Sequence, residues 1–178
     1  MGFRNAAVAT AYRILTPNEG ALTSMNHDTG INVAMPVNTA SFLYFWLPRS
    51  MTVTAWGVIM GNLAGGTVEL AVYQNGAKKA STGAIATPAF GVPTKFTLAT
   101  PAILSAGDSW LACVGSNAFC AFYNTYNGDD FPFGYLRNAN IGGIVLPNSY
   151  DPEVSATDDT STGVAGYAPW PSVELFFA

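Results

Sequence analysis

Between Ser41 and Val114 the apolar and polar residues alternate in short runs divided by Gly, Pro and Asn. A period of two is that of β-strands, whose successive side chains point to opposite faces. Residues 41–47 are apolar on both sides and stop at Pro48, whose missing N–H suits a strand end. They predict a strand covered on two faces, by a sheet and by a partner or an N-terminal arm. Residues 51–60 predict the next strand, with Met51, Val53 and Ala55 set against Thr52, Thr54 and Trp56. Residues 61–66 read as a Gly-rich turn. In residues 67–73, Val68, Leu70 and Val72 alternate with Thr67, Glu69, Ala71 and Tyr73, the pattern of a strand with one buried face. Asn75-Gly76 predicts a two-residue hairpin turn, because both central positions need positive φ. Lys78-Lys79 then falls at a solvated hairpin tip.

Residues 80–87 predict a weaker strand of small side chains, and residues 90–93 cross over. Residues 94–99 alternate with Phe96 and Leu98 inward. Residues 101–104 lead into a turn at 105–108, and residues 109–114 read as a buried central strand. Another apolar run covers 118–123. From 124 to 170 the chain is rich in Gly, Pro, Asn and Asp. A structureless loop of that length is improbable in a compact domain, so short strands are expected near 133–136 and 143–146. Residues 172–177 close the chain as a strand. At the other end, Ala7, Ala11, Ile14 and Leu15 would share one side of a helix, so residues 1–24 read as a short helix or an extended arm, packed on a neighbouring subunit or added as an edge strand of the same domain. The expected organisation is that arm followed by a single β-sandwich domain over 25–178. The fold class is all-β: a two-sheet β-sandwich, jelly-roll-like, with a loop-rich C-terminal third. No heptad or longer repeat is present.

Composition adds one constraint. Hydrophobic residues make up 49% of the 178 and charged residues only 10%, against about 25% charged in an ordinary soluble domain. A chain this poor in charge is expected to bury part of its exterior against other subunits. The net charge of −4 and the scarcity of Lys and Arg exclude the basic footprint of a nucleic-acid binder. No apolar stretch reaches the length of a membrane span, and the N-terminus has no apolar core of a signal peptide. Cys113 and Cys120 sit in apolar runs. A hairpin disulfide and a pair of buried thiols both remain open, with burial favouring thiols.

Candidate chemistry is sparse. The single His27 lies in a polar loop with no nucleophile motif, so no catalytic residue is assigned. Two Cys and one His far apart do not make a zinc site. Asp129, Asp130, Asp151, Glu153, Asp158 and Asp159 fall in the loop-rich half, but none has the spacing of a calcium loop. Turns select Asp and Asn for backbone reasons. No metal or cofactor is expected. Trp46, Trp56 and Trp110 lie inside strands and read as core or interface. Loop aromatics are better placed for recognition, and Tyr126, Tyr135, Tyr150 and Trp170 are the candidate ligand-binding residues.

A wider pattern joins these pieces. Thr52-Val53-Thr54 is followed by Gly65-Gly66, then Val68 to Tyr73, then Leu104-Ser105-Ala106-Gly107 and Trp110-Leu111-Ala112. The series resembles a β-sandwich module of tailed-bacteriophage virion proteins, over about residues 25–123 and more loosely beyond. The resemblance implies a non-enzymatic virion surface protein, assembled in the bacterial host cytoplasm as a homo-oligomer, a homotrimer being the common state of such modules. Expected partners are sibling subunits, other virion proteins and a host surface glycan, with neither nucleic acid nor membrane. It implies a tail-fibre or host-recognition module first. Capsid decoration and a carbohydrate-binding module are the alternatives. No catalytic residue carries over.

Overall fold

The computed structural model describes residues 21–23, 31–34, 38–59, 65–89, 92, 94–116, 121–124, 136–158 and 172–178. In chain order the strands are β1 (Ala21–Thr23), β2 (Ile31–Ala34), β3 (Thr39–Leu47), β4 (Met51–Ile59), β5 (Thr67–Gln74), β6 (Ala77–Ser81) and β7 (Ile85–Ala86). They continue with β8 (Thr94–Leu104), β9 (Gly107–Gly115), β10 (Ala121–Asn124), β11 (Leu136–Asn140), a one-turn helix α1 (Pro152–Ser155), β12 (Thr157–Asp158) and β13 (Ser172–Phe177). Two antiparallel sheets pack face to face. One has the order β1-β13-β4-β8, the other β12-β11-β3-β9-β5-β6, with β7 also paired to β5; β10 and β2 form a separate ribbon. From β3 to β4 to β5, and again from β8 to β9, the chain changes sheet at each step. The expected jelly-roll-like sandwich is the observed architecture.

Alternation builds the layer between the sheets. Phe45 and Leu47 of β3, Val68, Leu70 and Val72 of β5, and Leu111 and Cys113 of β9 meet Trp56 and Val58 of β4, Leu104 of β8 and Leu175 of β13. Fully burying one such side chain contributes about 1.5–3 kcal/mol. The strand β4 does not keep the parity its sequence suggests. Its register breaks between Val53 and Ala55 against both neighbours. A bulge at Thr54 shifts the alternation by one, as bulges do. Met51 and Val53 before it, and Trp56 and Val58 after it, therefore all face the core. Thr54 Oγ1 donates to Phe176 O at 3.2 Å across the irregularity. Opposite it, β8 carries extra residues between Thr97 and Ala102. Pro101 is tolerated inside this 11-residue strand because β8 is an edge.

The hairpin between β5 and β6 follows expectation: Asn75 and Gly76 have φ of 51° and 72°. Other expectations change. β9 is the buried central strand expected, but β5 is buried on both faces, not one. A second apolar layer, with Phe42, Ala71, Tyr73, Trp110, Ala112 and Val114, lies on the outer face of the seven-stranded sheet. Its cover is the chain's own 139–156 segment, which contributes Leu146, Tyr150 and Ala156. A partner or N-terminal arm was expected over β3; over Phe42 the loop-rich third takes that place. Residues 143–145 form bends and Leu146 is irregular, so no strand forms there, and α1 arises where Asp151 caps the helix with Pro152 following. The cap is the Asp-Pro-Glu run: Asp151 accepts from the Glu153 N–H and Pro152 takes the first turn, where its missing N–H costs nothing. Residues 1–20 lie outside the described residues; β1, just after them, pairs with β13.

Candidate functional site

The outer face of the seven-stranded sheet is where polar chemistry gathers. Glu69 faces outward from β5 beneath the cover and is only 1% exposed. An isolated buried carboxylate would be strongly disfavoured. Here Oε1 accepts from Lys78 Nζ at 3.1 Å and from Ser81 Oγ at 2.5 Å, and Oε2 accepts from the Leu146 N–H at 2.7 Å. Lys78 Nζ also donates to Leu146 O at 2.6 Å. The pair thus grips both backbone groups of the residue that inserts into the outer layer. The Lys78 side chain is 14% exposed. It is not part of a solvated tip, because the β6 register places it beside Tyr73 on the covered face.

The same hairpin holds the rest of the cover. Lys78 N donates to Asn148 O and Tyr150 N donates to Gly76 O, each at 2.9 Å. The Tyr73 hydroxyl donates to Pro147 O at 2.5 Å. Burial, then the charge of Glu69, then Tyr150, push the Tyr73 phenol well above its ordinary pKa. Tyr150 lies flat on Phe42, with ring centroids 5.0 Å apart and planes 7° from parallel. Burial also raises its phenol pKa.

Along β3 the outward row is Ala40, Phe42, Tyr44 and Trp46. The first two are fully buried, Tyr44 is half-buried and Trp46 is 40% exposed. The row emerges from beneath the cover as it runs towards Pro48. Beside it, β9 pairs Trp110 with Tyr44 and Asp108 with Trp46. Tyr44 and Trp110 meet edge to face at 5.4 Å and 72°. The Tyr44 hydroxyl donates to Asp108 Oδ1. Indole, phenol and carboxylate therefore share one partly exposed patch on two paired strands.

Of the four aromatics named from the sequence, Tyr150 is placed as described, with one ring face against Phe42. Tyr126, Tyr135 and Trp170 lie outside the described residues, as do His27, Cys120, Asp129 and Asp130. Trp56 and Trp110 are core, but Trp46 opens to solvent. Sequence reasoning missed Trp46 and Asp108 as neighbours. The signal available was parity: Trp46 shares its face with Phe42 and Tyr44, at the end of the strand. Cys113 is a buried free thiol, its pKa pushed well up by burial against a lowering contribution from the Ser41 backbone. An open groove of about 570 Å³ runs between the sheet edges, lined by Thr82 and Ile85 on one side and Lys95, Phe96 and Leu98 on the other. Among the described residues no three His, Cys, Asp or Glu side chains group as a metal site. No described helix is long and apolar enough to cross a membrane. No family model and no curated protein matches the chain.

Proposed function

We propose that this chain is a non-enzymatic structural protein on the surface of a tailed-bacteriophage virion, acting as a host-recognition module of the tail-fibre kind and assembling as a homotrimer. The observation that carries the assembly is the exterior. In a chain with 10% charged residues, Ile103 is 71% and Val154 80% exposed. Exposed apolar side chains on a charge-poor surface favour coverage by other protein. The virion assignment is supported by the motif series, whose members occupy β4, β5, the β8–β9 turn and β9. A non-enzymatic role is supported by the Glu69–Lys78–Ser81 cluster, the obvious polar constellation among the described residues. Its bonds hold Leu146 and leave no face for a substrate.

Light scattering behind size exclusion tests the assembly: three chains per particle are expected, and a monomer that persists at high concentration would refute it. Antibody labelling of particles in the electron microscope tests the location. A few copies at the tail are expected. Copies spread over the capsid lattice would make the protein a decoration subunit instead.

A further inference from the structure

We infer that the partly exposed end of the β3–β9 outer face, Trp46 with Tyr44 and Asp108, is a binding site for a neutral sugar ring. The inference rests on the host-recognition reading and gives it a ligand class and a location. A pyranose has an apolar C–H face and a rim of hydroxyls. An aromatic plane suits the first, and a carboxylate suits the second through charge-assisted hydrogen bonds. Trp46 supplies a 40% exposed indole. Asp108 sits directly opposite it in the strand register. Side chains opposite each other in an antiparallel pair have Cβ atoms about 4.5–5.5 Å apart, close to the width of one sugar ring.

The carboxylate is already oriented. Its Oδ1 accepts from the Tyr44 hydroxyl, and Tyr44 is braced edge-on by Trp110. Among the described residues Oδ2 accepts no hydrogen bond from protein, so it is available to a ligand hydroxyl. An exposed carboxylate beside the indole disfavours acidic sugars, which selects neutral ones. Rigid strands hold the patch, so little ordering is required on binding.

The test is a panel of methyl glycosides of neutral hexoses and N-acetylhexosamines, read by saturation-transfer NMR on the ligand protons and by calorimetry. At least one glycoside is expected to bind saturably. Trp46→Ala should weaken it about tenfold or more, the order of one lost aromatic contact. Asp108→Asn should weaken it less, and Val154→Ser not at all. Near-ultraviolet circular dichroism shows whether each variant is folded, and Trp46→Phe, which keeps an aromatic plane, should retain part of the affinity. No saturable binding across the panel would overturn the site, and so would unchanged binding in Trp46→Ala. Loss of the trimer in Trp46→Ala with no sugar binding by the parent would assign the patch to a subunit contact and overturn the site too. Sugar binding through Trp46 by a protein found on the capsid lattice would support the site while removing the host-recognition reading. The two proposals therefore fail separately.

Discussion

Replacing Glu69 by Ala should detach the cover of the outer face more than any change at a surface charge. The substitution removes the acceptor of Lys78 Nζ, Ser81 Oγ and the Leu146 N–H together. Truncating one partner of a buried ion pair costs about 3–5 kcal/mol. Lys78 is 14% exposed and keeps Leu146 O as an acceptor. Water and that carbonyl soften the loss, which places the expected cost near about 2–3 kcal/mol. With a urea m-value of about 2 kcal/mol per M, the unfolding midpoint should fall by about 1–1.5 M. Glu69→Gln keeps an acceptor for Leu146 but not the charge facing Lys78, so it should fall between parent and Ala. Lys79→Ala is the control, since this neighbouring lysine is exposed, and such changes usually stay within about 0.5 kcal/mol. Hydrogen exchange adds a local readout: the Leu146 amide should lose its protection in Glu69→Ala. The reasoning is refuted if Glu69→Ala shifts the midpoint no further than Lys79→Ala and the Leu146 amide stays protected.

Two further outcomes can be checked on the same protein. Alkaline pH should destabilise the fold from about pH 8.5 upward. Burial raises the folded pKa of Cys113 and Tyr73 above their unfolded values, which are about 8.5 and 10. Their contributions are fully present below those unfolded values and are lost as pH rises towards the folded ones. Thermal melts across pH 7–11 should show the decline. Tyr73→Phe should flatten its upper part, at a cost of about 1 kcal/mol for the hydrogen bond to Pro147 O. Gly76→Ala should cost about 1–2 kcal/mol, read from urea unfolding, because Gly76 has φ of 72°. The added Cβ would lie 3.8 Å from Asp151 Cβ, an ordinary contact, so the backbone rather than crowding sets that cost.

Period-two alternation made the sandwich legible, because a strand needs no distant information to declare which side chains share a face. Asn75-Gly76 declared its hairpin for the same local reason, as did the inward facing of Phe96 and Leu98. The bulge at Thr54 was not legible: either parity of β4 presents apolar side chains, and only the neighbouring strands decide where the register breaks. Nor could alternation show that β5 is covered twice. The outward Glu69 and Tyr73 look solvated until residues 139–156 fold back over them. Lys78 was misplaced by the same omission, since the turn chemistry sets a hairpin tip but not what packs on it. At the candidate site the sequence supplied the residue types and the alternation of β3. How exposed each aromatic of that row is was decided by the chain that packs on it: Phe42 is fully buried and Trp46 is 40% exposed. The amino-acid order by itself determined the strands, the turns and the scarcity of charge, all properties of short segments. Tertiary structure alone decided which faces meet water, because burial depends on chain that arrives from far away.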